Sequence, residues 1–150
     1  MNKNNVADTF VLLIPYEQDD ILRPERFSPS LDILHNMGTA QSVTCFNFAT
    51  KIEQQAHYYP RLSVTCHRRL GGYSQKLKIE FSAMKLINQP PNNLEEVCDE
   101  DFEEIIAVLQ KRLFELGVSV PPEKIKKAQV VRVDYGKNCK VQINPALLLQ

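Results

Sequence analysis

The stretch RLSVTCHRRLGGYSQKLKIEFSAMKL, residues 61–86, decides the fold, because it contains two alternating segments on either side of a glycine pair. In each segment every second residue is apolar: Leu62, Val64 and Cys66 in the first, and Leu77, Ile79 and Phe81 in the second. A two-residue period is typical of a strand with one buried and one solvated face. The stretch therefore predicts an antiparallel hairpin that turns at Gly71–Gly72.

The predicted hairpin is basic, although the formal net charge of the chain is zero. Its only acid is Glu80, and its basic residues are Arg61, Arg68, Arg69, Lys76, Lys78 and Lys85. Strand alternation points five side chains outward, which are Arg61, His67 and Arg69 on one strand and Lys76 and Lys78 on the other. Arg68 lies beside the turn. Such a ribbon is suited to contact DNA phosphates. The alternative is an ordinary solvated sheet face.

Three other segments have the composition of strands: FVLLIP (10–15), VTCFNFAT (43–50) and QVVRVDY (129–135). In the last of these, Val131, Val133 and Tyr135 are expected on one side and Arg132 and Asp134 on the other. Arg132 joins the predicted DNA-binding residues. Residues 1–8 are expected to be disordered, and residues 16–29 to form an irregular loop.

The segment DEDFEEIIAVLQKRLFELG (99–117) predicts the main helix. Its apolar residues recur at steps of three and four, which places them on one helix face: Phe102, Ile105, Ile106, Leu109, Leu113 and Leu116. Asp99 is a candidate N-cap, and Gly117 is expected to end the helix. Shorter helical segments are predicted at 30–37 and 120–128.

Together these elements predict an α+β fold, in which an antiparallel sheet has helices packed on one face. The order of elements is close to a ferredoxin-like or split βαβ pattern with an added strand. A chain of 150 residues is expected to form a single domain.

Composition favours a cytoplasmic protein with no membrane partner. No apolar run approaches the roughly 20 residues that span a bilayer, and the N-terminus lacks the basic and apolar blocks of a secretory signal. The four cysteines form no CxxC pair and are expected to be reduced: Cys45, Cys66, Cys98 and Cys139.

The sequence contains no recognisable catalytic or metal-binding motif, so no cofactor is predicted. The three histidines, His35, His57 and His67, have no metal-ligand spacing. Cys66 and His67 point to opposite faces of a strand, which excludes a direct catalytic pair. The Tyr58–Tyr59 pair suggests either the nucleophile of a DNA-nicking enzyme or simple packing.

Several segments between residues 57 and 138 resemble the N-terminal region of phage and plasmid replication initiators of the filamentous-phage gene II/X type. These segments are YYPRLSV, LKIEFSAMKLI, PPNNLEEV, DFEEIIAVLQKRLFELGV and AQVVRVDYGKN, in that order. The resemblance implies a protein that binds an origin of rolling-circle replication and nicks one strand with a tyrosine and a divalent metal.

The chain shows neither the paired-histidine metal motif nor a nicking-tyrosine motif, and members of that family are usually much longer. The resemblance therefore favours a DNA-associating domain of an initiator without a complete nicking site, whose partners are DNA and the remainder of a larger initiator. Two alternatives remain. The first is an intact metal-dependent nickase that uses His67, Glu80, Asp134 and Tyr135. The second is an interaction or dimerisation module that self-associates through the apolar tail ALLLQ (146–150).

Overall fold

A computed structural model of the protein describes residues 7–31, 41–69, 72–87 and 101–135. These residues form five strands: β1 (Ala7–Pro15), β2 (Ser42–Asn47), β3 (Arg61–Arg69), β4 (Gly72–Ser82) and β5 (Gln129–Tyr135). They also form four α-helices: α1 (Lys51–Ala56), α2 (Ala83–Ile87), α3 (Phe102–Glu115) and α4 (Pro122–Lys126). Two short 3₁₀ helices, Gln18–Asp20 and Pro24–Arg26, lie in the loop after β1. None of these helices has the length and hydropathy needed to cross a bilayer.

The strands form one sheet in the order β2-β3-β4-β1-β5, and every neighbouring pair is antiparallel. Because β4 and β5 both lie antiparallel to β1, they run parallel to each other with β1 between them. Helix α3 belongs to the chain between β4 and β5, so this part is a split βαβ unit. Strands β2, β3 and β4 instead form an antiparallel meander. The predicted α+β class is confirmed, whereas the ferredoxin-like detail is not.

The core lies between one face of the sheet and helix α3. The alternating apolar residues of β3 and β4 are all buried, as are Ile105, Ile106, Leu109 and Leu113 of α3, and they form one cluster. Burying a side chain of this size contributes roughly 1.5–3 kcal/mol, so the contact between sheet and helix is the main source of stability. Phe102 was predicted on the buried helix face, but it lies at the rim and is 48% exposed.

Strand β5 contains a bulge, so the side chains do not alternate along the whole strand as predicted. Val130 lies opposite Leu12, and Arg132 lies opposite the next residue, Val11, so Val131 is an extra residue. The bulge shifts the following side chains by one position. Val130 therefore packs against the core, while Val131 is 40% exposed.

Two boundaries also differ from the prediction. Strand β1 begins at Ala7, which pairs with Tyr135, so the expected disorder over residues 1–8 does not include residues 7 and 8. Helix α1 forms in a polar stretch where none was predicted, because Thr50 and Glu53 make a reciprocal capping box. The expectations for residues 1–6, 32–37, 70–71, Asp99 and the tail 146–150 lie outside the described residues.

Candidate nucleic-acid interface

The pairing of β3 with β4 places the predicted outward residues on the same side of the hairpin. Residues in direct cross-strand register share a face of the sheet. The register pairs Arg61 with Glu80, Ser63 with Lys78, Thr65 with Lys76, His67 with Ser74 and Arg69 with Gly72. All five basic side chains are exposed, on the opposite side from the buried apolar residues of the same strands. We call the surface formed by Arg61, His67, Arg69, Lys76 and Lys78 the basic face.

Within the described parts of the chain, no acidic side chain forms an ion pair with the basic face. The acids on the same side of the sheet, Glu80 and Asp134, are both bonded to Arg132. Its Nη2 lies 2.9 Å from Glu80 Oε1, and its Nε lies 3.2 Å from Asp134 Oδ2. Both carboxylates thus have Arg132 as their ion-pair partner, and its single positive charge offsets one of their two negative charges. The side chains of the basic face stay unpaired with any acid in the described part of the chain.

The other two predicted binding residues lie apart from the basic face. Arg132 is on β5, and its ion pair with Glu80 reaches across Val11 of β1, which is only 1% exposed. Arg68 is exposed but alternates to the opposite side of β3, and its backbone N–H donates to the Gln41 carbonyl at 2.8 Å. The structure therefore brings together five of the seven predicted residues.

Strand β2 extends this surface with neutral and aromatic side chains. Thr44 Oγ1 lies 2.9 Å from Thr65 Oγ1, a hydrogen-bonding distance. Phe46 lies opposite Ser63, and its ring centroid is 5.6 Å from that of Phe48. The two residues are 45% and 54% exposed. Sequence reasoning missed both phenylalanines. The alternation in VTCFNFAT places Phe46 and Phe48 on one face of the predicted strand, but only the burial of Asn47 shows that this face is the exposed one.

A cleft of about 620 Å³ adjoins the surface at the start of β3. Phe48 and Arg61 line the cleft on the side of the basic face, and Lys85 of α2 and His57 also contribute to its wall. The cleft is therefore continuous with the aromatic and basic surface.

Tyr58 and Tyr59 also line this cleft, but their hydroxyls already have partners. The Tyr58 hydroxyl accepts a hydrogen bond from the Ser82 N–H at 2.7 Å, and the Tyr59 hydroxyl donates to Glu115 Oε2 at 2.6 Å. Burial, together with the Glu115 carboxylate, raises the pKa of Tyr59 to about 12. A lowered pKa is one of the ways in which a nucleophile is activated, and the pKa of Tyr59 shifts in the other direction. Both hydroxyls therefore make hydrogen bonds within the fold.

Of the residues named for an intact nickase, His67, Glu80 and Asp134 do not converge on a metal site. Glu80 and Asp134 are bonded to Arg132. Arg61 lies opposite Glu80 in the strand register, and His67 lies six residues further along β3. Six strand residues span about 20 Å. In the described portion of the chain, no three His, Cys, Asp or Glu side chains are grouped so that they could hold a metal ion.

Comparisons with known protein families, with curated proteins and with solved structures found no match to this chain.

Proposed function

We propose that this chain is a DNA-associating domain that contacts phosphates through the basic face. The observation that carries the proposal is the row of exposed basic side chains, with which no acid among the described residues forms an ion pair. The neighbouring carboxylates of Glu80 and Asp134 are bonded to Arg132 instead. A row of exposed basic side chains on a sheet surface can contact successive phosphates, and such contacts supply most of non-specific DNA affinity.

Neutral donors support the same interpretation. The hydroxyls of Ser63 and Thr65 lie between the basic side chains, opposite Lys78 and Lys76. Hydroxyl groups commonly donate to phosphate oxygens and help to fix the position of a protein on DNA. The surface thus combines charge with short hydrogen-bond donors.

The proposal includes the origin of the domain in a phage or plasmid replication initiator, which rests on the resemblance described above. It does not include a nicking activity, because Glu80 and Asp134 are occupied by Arg132 and the Tyr59 hydroxyl is bonded to Glu115. A divalent metal belongs to the nickase alternative alone. The proposed location is the cytoplasm, in keeping with the free thiols of Cys45 and Cys66.

Salt-dependent DNA binding tests the proposal directly. Lys76 and Lys78 lie at the centre of the basic face, and both are exposed. Changing both to Ala should weaken binding to every DNA sequence. It should also reduce the slope of log affinity against log salt by up to about two units, at roughly 0.9 per duplex phosphate contact. Fluorescence anisotropy with labelled duplex and single-stranded DNA at several salt concentrations measures both quantities.

The matched control changes Lys111 and Lys127 to Ala. Both are exposed lysines outside the sheet, so the net charge falls by the same amount while the basic face stays intact. The control should bind DNA as the wild type does. Equal losses in the two variants would reduce the effect to overall charge, and salt-insensitive self-association without DNA binding would favour the dimerisation module. Either result would contradict the proposal.

A further inference from the structure

Phe46 and Phe48 form an exposed aromatic pair beside the basic face. Their ring planes are inclined at 39° with centroids 5.6 Å apart, and about half of each residue is accessible to solvent. A buried phenylalanine stabilises a fold, and this fold gives up part of that stabilisation at two neighbouring positions. Two exposed rings together on one surface favour a binding role over a packing role.

The neighbours of the pair are cationic. Phe46 lies opposite Ser63 of β3, which in turn lies opposite Lys78 of β4. Neighbouring strands are about 4.8 Å apart, so the backbone of Lys78 lies roughly 10 Å across the sheet from that of Phe46. Phe48 shares the lining of the cleft with Arg61. Each ring therefore has a basic side chain of the basic face nearby.

We infer that Phe46 and Phe48 are a base-stacking site for single-stranded DNA, an inference that rests on the proposed function. Unpaired bases lie on the two rings, while the phosphates that connect them contact Lys78 and Arg61. Bases in a duplex are stacked on one another and do not expose their faces, whereas unpaired bases do. Aromatic side chains beside a positively charged groove are the means by which proteins bind single strands without reading their sequence.

The charge of the surroundings decides between a nucleic acid and a protein partner. An aromatic pair alone also suits an apolar peptide or a second copy of the chain. The adjoining basic face, however, has no acidic partner among the described residues, and a polyanion would complement its charge. A polyanion that also presents flat apolar faces is a single-stranded nucleic acid.

Substitution of both phenylalanines by Ala separates stacking from phosphate binding. The ligands are oligothymidylate, an abasic oligonucleotide of the same length and a duplex of the same length. Affinity for oligothymidylate should fall about five- to one-hundred-fold for each base that stacks, with little change for the other two ligands. Phe114→Ala is the control, because Phe114 is 62% exposed on α3, outside the sheet. An unchanged affinity for oligothymidylate, or equal losses on all three ligands, overturns the inference.

A tryptophan at the site gives a direct signal, because the chain contains none. In the Phe46→Trp variant, oligothymidylate should quench the tryptophan fluorescence and the abasic strand should not. Equal responses to the two strands overturn the inference.

The two proposals fail differently. Salt-dependent binding that needs Lys76 and Lys78 but not the phenylalanines leaves the proposed function intact and removes only the stacking site. No binding of wild-type protein to any of the three ligands removes both. Loss of self-association in the double phenylalanine variant, with oligothymidylate binding unchanged, assigns the pair to a second copy of the chain and overturns the inference.

Discussion

Gly117 follows helix α3 with a φ of +87°, in the left-handed region that costs other residues about 1–2 kcal/mol. Its carbonyl accepts hydrogen bonds from the N–H groups of Leu22 and Arg23, at 2.7 and 3.1 Å. A Cβ added at this position would collide with the side chain of Arg23. The residue therefore ends the helix and also holds the loop after β1 against it.

Substitution of Gly117 by Ala should destabilise the protein by about 1–3 kcal/mol, because the backbone strain adds to the collision with Arg23. Urea unfolding followed by circular dichroism measures the change. Ser119→Ala, at an exposed position two residues later, should stay within about 0.5 kcal/mol of the wild type. A Gly117→Ala protein as stable as the control would show that residue 117 does not need a positive φ in the folded protein.

The role of a residue was predictable from the sequence where the local backbone determines that role. It was less predictable where a residue distant in the sequence determines it. Gly117 was predicted as the helix stop from its position after the apolar period. Arg112 is different, because the sequence shows it only as one of two bases near the helix end. Its burial to 8% depends on Tyr59, whose ring centroid lies 5.7 Å from the guanidinium carbon, and on Glu115, whose carboxylate lies 3.0 Å away.

Among the elements, α3 is the one whose place in the fold depends most on its buried apolar face. Leu109 lies in the middle of that face and is fully buried. Replacing it with Ala should destabilise the protein by about 2–5 kcal/mol, since the change removes apolar contact and leaves a cavity. Thermal or urea unfolding measures the loss. Phe114→Ala on the same helix removes a larger but mostly exposed side chain and should cost much less. Similar losses for the two variants would mean that the helix is packed by another face.

Periodicity predicted the elements that bury a regular stripe of apolar residues, namely β3, β4 and α3. It missed α1, which buries none of its six residues and is instead fixed by the capping box of Thr50 and Glu53. It also misassigned Val131. Two adjacent valines both fit an alternating strand, and only the pairing with β1 shows which of them is the bulge.

The formal net charge of the whole molecule is zero, but its charges are unevenly arranged. Among the described residues, charges in ion pairs and unpaired charges lie at different places on the sheet. The basic hairpin was evident in the sequence, but the fate of Glu80 was not. Glu80 is bonded to Arg132 only because β1 lies between β4 and β5 and brings the two side chains to the same side of the sheet. Strand order is a long-range property, so composition alone did not reveal that Glu80 and Asp134 near the basic face pair with Arg132.

The stability of the whole fold in acid should depend on a second long-range ion pair, between Arg26 in the loop after β1 and Glu53 in α1. The guanidinium donates two hydrogen bonds to the carboxylate, at 2.7 and 3.1 Å. The bond to Arg26, supported by the Thr50 N–H, lowers the pKa of Glu53 to about 2. In the unfolded chain the pKa of a glutamate is about 4.3. The pair therefore stabilises the folded state above that pH, and its contribution is lost as the pH falls towards 2.

Comparison of wild type with Glu53→Gln across pH isolates this contribution. At pH 7 the variant should be less stable by about 1–3 kcal/mol, since a neutral amide keeps the shape of the side chain but not the charge bonded to Arg26. The difference should shrink between about pH 4.5 and 2, where the wild-type carboxylate takes up its proton. Urea unfolding at a series of pH values gives the difference directly. Glu25→Gln is the control, because Glu25 pairs with Arg23 on the exposed surface and such pairs contribute little. A Glu53→Gln deficit that stays constant from pH 7 to pH 2 would assign the loss to the cap of α1 and not to the ion pair with Arg26.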